Sequence, residues 1–141
     1  MPSITTDELA KSLAAGREIV LLDVREPQEF AVSHLAGARP ATSVADAAAV
    51  LDSVGPDTLV VAYCSVGYRS AALVAALREQ GVPTAVNLAG SIFAWANAGL
   101  PVYRGGLEVT EVHPFDDSWG TLLNQDLWAF EPGNARLRTA E

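Results

Sequence analysis

Along the first hundred residues, short apolar runs alternate with helix-like stretches, and this rhythm restricts the fold more than any other feature of the chain. Residues 19–22, 58–63 and 84–88 carry the runs, which are too short for core helices and read as strands covered on both faces. Helical signals fall between them. Thr5 and Glu8 make a capping-box pattern ahead of a helix to about Ala14, closed by Gly16. Pro27 suits a first helical position, giving one or two turns over 28–31. Ser43 caps an alanine-rich helix to about Ser53, which Gly55 and Pro56 break. Apolar residues at three-to-four spacing predict a helix over 70–80 ended by Gly81, and another over 91–98 stops at Gly99, Leu100 and Pro101. Strand and helix in turn, joined by short loops, imply an α/β fold: a parallel sheet with helices on both faces.

Composition narrows the function classes. At 141 residues the chain is sized for one domain, and half of it is apolar, enough to bury a core. Nine basic residues against 17 acidic ones leave a net charge of −8, which speaks against nucleic acid or an anionic membrane surface as partner. One cysteine, Cys64, leaves no internal disulfide and no Cys-rich metal site. His34 and His113 stand too far apart to suggest a metal pair, so neither metal nor cofactor is expected. The N-terminus shows no basic stretch followed by an apolar run, and no 18-residue window is uninterruptedly apolar. A soluble, cytoplasmic setting is the expectation. From Tyr103 onward the helix period is lost, and Gly105, Gly106, Pro114, Pro132 and Gly133 punctuate the chain. The expected organisation is a domain over 3–103 and an extended tail over 104–141 packed on it, frayed from about residue 132.

In open parallel sheets, ligands sit beyond the carboxyl ends of the strands. Two segments with chemical potential fall there: Asp23-Val24-Arg25-Glu26 after the strand 19–22, and Cys64 to Ser70 after the strand 58–63. Cys64 therefore stands just before a helix N-terminus, where unpaired amides and the helix dipole favour negative charge. Gly67 lets the loop curl so that its amides point inward, and Arg69 adds a positive charge. A lone cysteine in an apolar chain is commonly inert filler, but this placement argues for a reactive thiol. Cys64 is the candidate nucleophile, with Ser65, Val66, Gly67, Tyr68, Arg69 and Ser70 as the binding loop. The Arg69 fork is expected to hold an anionic donor. Asp23 is read as structural, bonding loop amides or pairing with Arg25 at the rim, because a carboxylate beside a thiolate would raise the thiol's pKa. Tyr68, at the loop tip, either gates donor access or caps the pocket. Trp95, Trp119 and Trp128 are read as packing residues, and His113 as part of the tail.

The same segments resemble the rhodanese family. Asp23-Val24-Arg25-Glu26, Glu29-Phe30 and His34-Leu35-Ala36-Gly37-Ala38 look like its amino-terminal signature, and Cys64-Ser65-Val66-Gly67-Tyr68-Arg69-Ser70 resembles its active-site loop. Asn87-Leu88-Ala89-Gly90-Ser91-Ile92-Phe93-Ala94-Trp95 resembles the turn and Trp-bearing helix that follow, although Ala89 replaces a usually acidic residue. The resemblance implies a five-stranded parallel sheet and sulfurtransferase activity, with Cys64 carrying a persulfide between donor and acceptor. Its expected partners are a small anionic donor such as thiosulfate and a thiol, cyanide or protein acceptor. His34 is then a turn-stabilising residue, not a base. Phosphatases of this fold place five residues between Cys and Arg; here there are four, Ser65 to Tyr68. The tighter ring of amides suits one extra sulfur better than a tetrahedral phosphoryl group. A small cysteine phosphatase and a non-catalytic or sulfur-relay module are the alternatives.

Overall fold

A computed structural model describes residues 2–133. Five parallel strands form the central sheet: β1 (Ser3–Ile4), β2 (Ile19–Asp23), β3 (Arg39–Pro40), β4 (Leu59–Tyr63) and β5 (Ala85–Leu88), in the order β1-β5-β4-β2-β3. The chain moves outward from β2 to β3, then returns to β4 and continues to β5 on the other side. The β2/β4 boundary is therefore the switch point, where a crevice opens beyond the strand ends. Registry sets Asp23 beside Tyr63 there.

Alternation along β4 shows why its sequence is unbroken apolar. Leu59, Val61 and Tyr63 enter one core with Leu9, Ile92, Phe93 and Trp95, whereas Val60, Ala62 and Cys64 enter the other with Ala47, Leu73, Val74 and Leu77. Helices α1 (Thr6–Ala14) and α5 (Ser91–Asn97) thus cover one face, and α3 (Val44–Leu51) and α4 (Tyr68–Glu79) the other. Helix α2 (Pro27–Val32) follows β2. The predicted capping box closes α1: the Glu8 amide donates to Thr5 Oγ1 at 3.1 Å, and the Thr5 amide donates to Glu8 Oε1 at 3.0 Å.

Three local expectations need correction. The helix expected over 70–80 starts at Tyr68 with Gly67 as its cap, so Tyr68, Arg69 and Ser70 form its first turn and not a loop. The helix expected to reach Ser53 stops at Leu51. The tail is not merely extended. It forms a hairpin of β6 (Val102–Arg104) and β7 (Leu107–Val109), then two 3-10 turns, Trp119–Leu122 and Gln125–Leu127.

This extension is integral to the packing. Val109, Val112 and Leu123 are buried in the core beneath α5, Ser33 Oγ donates to Glu111 O at 2.6 Å, and Asn97 Nδ2 donates to Leu122 O at 2.9 Å. Within the extension Gly120 allows a close approach: a Cβ there would lie 2.6 Å from Trp128 Cζ2 and 2.9 Å from Pro114 Cβ. Of the end expected to fray, residues 134–141 lie outside the described residues. Among the described residues no helix is long and apolar enough to cross a membrane, and no cluster of three or more His, Cys, Asp or Glu is arranged to hold a metal.

Candidate functional site

Beneath the crevice lies a buried ion pair. Asp23 Oδ1 accepts from the Arg25 amide and Nε at 3.0 Å each, and Oδ2 accepts from Arg25 Nη2 and the Tyr63 hydroxyl at 2.7 Å each. Arg25 Nη2 also donates to Ser33 O, while Nη1 is buried without a hydrogen-bond partner. Both side chains are fully buried, so the pair sits under the site and not at its rim. Burial pushes the Tyr63 phenol up, and the charge of Asp23 adds to that shift, so Tyr63 stays a donor. It also accepts from the Leu35 amide at 3.0 Å. Tyr63 immediately precedes Cys64, so this network fixes the base of the cysteine loop.

The loop is gripped from the α5 side. Ile92 and Phe93 donate their amides to the carbonyls of Cys64 and Ser65 at 3.1 Å each, and the Cys64 amide donates to Ser91 Oγ at 3.1 Å. Gly67 has φ +121°, a conformation that L side chains rarely adopt. This bend turns its amide onto Cys64 Sγ at 3.1 Å, and Asn87 Nδ2 locks the bend by donating to Gly67 O at 3.2 Å. The Ser70 hydroxyl lies 3.5 Å from the sulfur, but its single proton has a nearer acceptor in Asn87 Oδ1 at 2.6 Å. The Gly67 amide is therefore the sulfur's unshared donor, and the Ser70 hydroxyl is divided between Asn87 and the sulfur. Burial pushes the Cys64 thiol up, yet the Ser70 hydroxyl, the Ser70 and Gly67 amides and the charge of Arg69 outweigh it, leaving the thiol below the ordinary cysteine range.

Arg69 does not present a free fork. Its Nη1 and Nη2 donate to Glu29 Oε1 and Oε2 at 2.8 and 3.0 Å, and Nη2 also reaches Ser65 Oγ at 2.9 Å. Burial pushes Glu29 up, but its bonds to Arg69 prevail and hold the carboxyl below the usual range. Glu29 stands 40 positions from Arg69, on α2, and no local pattern couples the two. Sequence reasoning also missed Asn87 and Ser91 as loop supports, although both lie in the motif that resembles the family turn.

The extension then closes over this loop. Phe115 lies on the Arg69 guanidinium, 4.9 Å from ring centre to Cζ, and Trp119 meets Tyr68 edge-on at 5.7 Å. Together with Cys64, Ser65, Val66, Tyr68 and Arg69 they line a cavity of about 120 Å³. Trp119 is thus a pocket residue as well as a packing one. Tyr68 is 75% exposed at the mouth. His34 stacks on Phe30 at 4.0 Å with Nδ1 3.3 Å from Phe30 O, away from Cys64. His113 Nδ1 accepts from the Phe115 amide at 2.9 Å, which sets the turn that carries Phe115.

Alkylation of Cys64 by iodoacetamide should titrate with a midpoint below that of an ordinary thiol. Ser70→Ala should raise that midpoint and slow the reaction at pH 7 by about fivefold at most, because the amides remain. An ordinary or raised midpoint in the parent protein would contradict an amide-held thiolate.

Sheet order, helix placement and the cysteine loop at the switch point define a rhodanese-like α/β domain. The chain belongs to that family: the Rhodanese-like domain model matches residues 5–98. It is 38% identical over 100 residues to the probable adenylyltransferase/sulfurtransferase MoeZ of Mycobacterium tuberculosis, covering 70% of this chain but only 26% of that protein. A sulfurtransferase of Allochromatium vinosum is 34% identical over 101 residues, 70% of this chain and 92% of that one. The crystal structure of a rhodanese-related protein from Thermoplasma volcanium superposes with a TM-score of 0.61 at 27% identity, covering 73% of this chain and 98% of that one. These relatives support sulfur transfer as the general chemistry. The family match ends at residue 98 and does not reach the extension.

Proposed function

We propose that the protein is a sulfurtransferase in which Cys64 carries sulfur as a persulfide. The single observation that carries this reading is the thiol at the end of β4, held below its ordinary pKa by the bent loop and opening into a cavity. The Cys64 thiolate attacks the outer sulfur of an anionic donor, of which thiosulfate is the simplest. The donor S–S bond breaks, its electron pair leaves with sulfite, and a Cys64–S–S bond forms. An acceptor thiolate or cyanide then attacks the terminal sulfur, and the pair returns to Cys64. Loop amides stabilise the persulfide anion as they do the thiolate. The Asp23–Arg25–Tyr63 network holds the loop base, while Glu29 and Arg69 hold its far side. No metal or organic cofactor enters any of these steps.

Two features speak against a phosphatase. The loop has one residue fewer than in phosphatases of this fold, and a transferring phosphoryl group would call on the Arg69 fork, which is closed on Glu29.

Intact mass gives the test. Thiosulfate should add one sulfur, about 32 mass units, removable by cyanide or dithiothreitol. Cys64→Ser should show neither adduct nor turnover, and the parent should not hydrolyse p-nitrophenyl phosphate. Sulfur transfer persisting in Cys64→Ser would remove Cys64 from the reaction. Phosphatase activity lost with Cys64 would favour the phosphatase reading instead.

A further inference from the structure

The cavity over Cys64 is built jointly by the family loop and by the extension, and its chemistry is unlike that of a dianion site. Its walls are Val66, Tyr68, Phe115 and Trp119. The lining cation, Arg69, is paired with Glu29 through both terminal nitrogens and covered by Phe115. The pair is close to neutral as a unit, so a Cys64 thiolate leaves the pocket with a net negative charge. An inorganic dianion entering there surrenders hydration to aromatic walls without gaining an unpaired cation. A donor of the same size with one charge and an apolar end gives up less hydration and gains contact with the rings. A cavity of ~150 Å³ holds the six heavy atoms of benzene; about 120 Å³ here therefore suits a head of roughly five heavy atoms.

The rings are fixed in place. Phe115 has φ +71°, unusual for a bulky side chain, and the turn is held by the hydrogen bond its amide donates to His113 Nδ1. The Trp119 amide donates to Asp116 Oδ1 at 2.7 Å, and the Gly120 amide to Asp116 O at 2.8 Å. Trp128 braces the following residues, its Nε1 donating to Gly120 O and Leu123 O at 3.1 Å each. Such strain persists where the surroundings over-determine a conformation.

We infer that Phe115 and Trp119 are specificity residues which tune this site toward singly charged organic sulfane-sulfur donors, persulfides or thiosulfonates with a small apolar group, in preference to inorganic dianions. The inference rests on Cys64 being the sulfur carrier. The transfer then balances as follows: Cys64 thiolate attacks the outer sulfur of R–SO₂–S⁻, the S–S bond breaks, and the electron pair leaves on the sulfinate R–SO₂⁻.

Methanethiosulfonate and thiosulfate make a matched pair of probes, equal in heavy-atom count and differing by a methyl in place of a charged oxygen. Their rates of persulfide formation on Cys64, read by intact mass, give a selectivity ratio; the same ratio for a small free thiol gives the intrinsic reactivity. The parent ratio should exceed the free-thiol ratio by about tenfold, roughly 1.4 kcal/mol of discrimination. Phe115→Ala and Trp119→Ala should each bring the ratio at least fivefold back toward the free-thiol value. Phe115→Leu and Trp119→Phe, which keep an apolar wall, should largely retain it. A parent ratio equal to that of the free thiol overturns the inference without any variant. So does a ratio unmoved in folded alanine variants. If neither probe loads Cys64, the sulfur-carrier reading itself fails and the inference falls with it, an outcome distinct from loading without discrimination.

Discussion

Asp23→Ala is expected to lower the unfolding free energy by about 3–5 kcal/mol, a large part of the ~5–15 kcal/mol typical of a domain. The reason is the charge left behind. Arg25 is 1% exposed and already has one terminal nitrogen without a partner. Losing Asp23 removes two side-chain hydrogen bonds and one backbone N–H hydrogen bond from Arg25, and leaves the Tyr63 hydroxyl without its acceptor. Urea denaturation should report a lower midpoint with an unchanged slope. Asp23→Asn keeps the shape and one acceptor oxygen, so its loss should be smaller. Adding Arg25→Met to Asp23→Ala should recover part of the deficit, because the stranded charge is gone. A loss below about 1 kcal/mol for Asp23→Ala would mean that solvent reaches Arg25 and that the network is not a structural foundation.

Arg69→Met should act on stability and on its pH dependence together. It strands the Glu29 carboxylate, whose side chain is 1% exposed, and a loss of about 2–3 kcal/mol at pH 7 is expected. The figure is set below that of a fully buried pair because Arg69 is 31% exposed. The sign of the pH dependence should reverse. In the parent, the Glu29 pKa is lowered by folding, so its stabilising contribution is present above the unfolded carboxyl pKa and is lost as pH falls through the folded value. In Arg69→Met, burial is opposed only by the Glu26 amide, the Ser65 hydroxyl and the more distant Arg25 charge, so the folded pKa is expected to rise above the unfolded one. Glu29 then destabilises progressively as pH rises through that raised pKa. Unfolding free energies from pH 4 to 8 should therefore show the gap between parent and variant widening with pH. A constant gap would place the Arg69 contribution in packing against Phe115 and not in the Glu29 pair. Thiol alkylation should also slow in the variant, since Arg69 helps to hold the Cys64 anion.

The corrected helix start illustrates a limit of local pattern reading. Apolar spacing starts the helix at residue 70, yet it begins at Tyr68 and its cap is Gly67, with φ +121°. What sets the boundary is the fold of the preceding loop, held by Asn87 and the α5 amides from residues 20 or more positions away. The extension illustrates another. Gly, Pro and aromatic residues without helical period gave no hint that Val109, Val112 and Leu123 enter the main core, or that Phe115 and Trp119 return to the cysteine.

The sequence by itself determined three of the five strands and the helices around them, the parallel sheet, and the gathering of Asp23 and Cys64 at one end of it; the two-residue edge strands β1 and β3 are too short to carry a pattern. What it determined follows from hydrophobic period, caps and breakers, which act over a few residues. Parallel strands joined by helical crossovers then necessarily share a carboxyl end. Only the tertiary structure decided that Arg25 lies beneath the site, that Glu29 takes the Arg69 fork, and that the tail's aromatic rings finish the pocket. Those outcomes depend on distances between side chains distant in sequence. A cation withdrawn from water pairs with whichever carboxylate the packing brings within reach, and no local pattern records which one that will be.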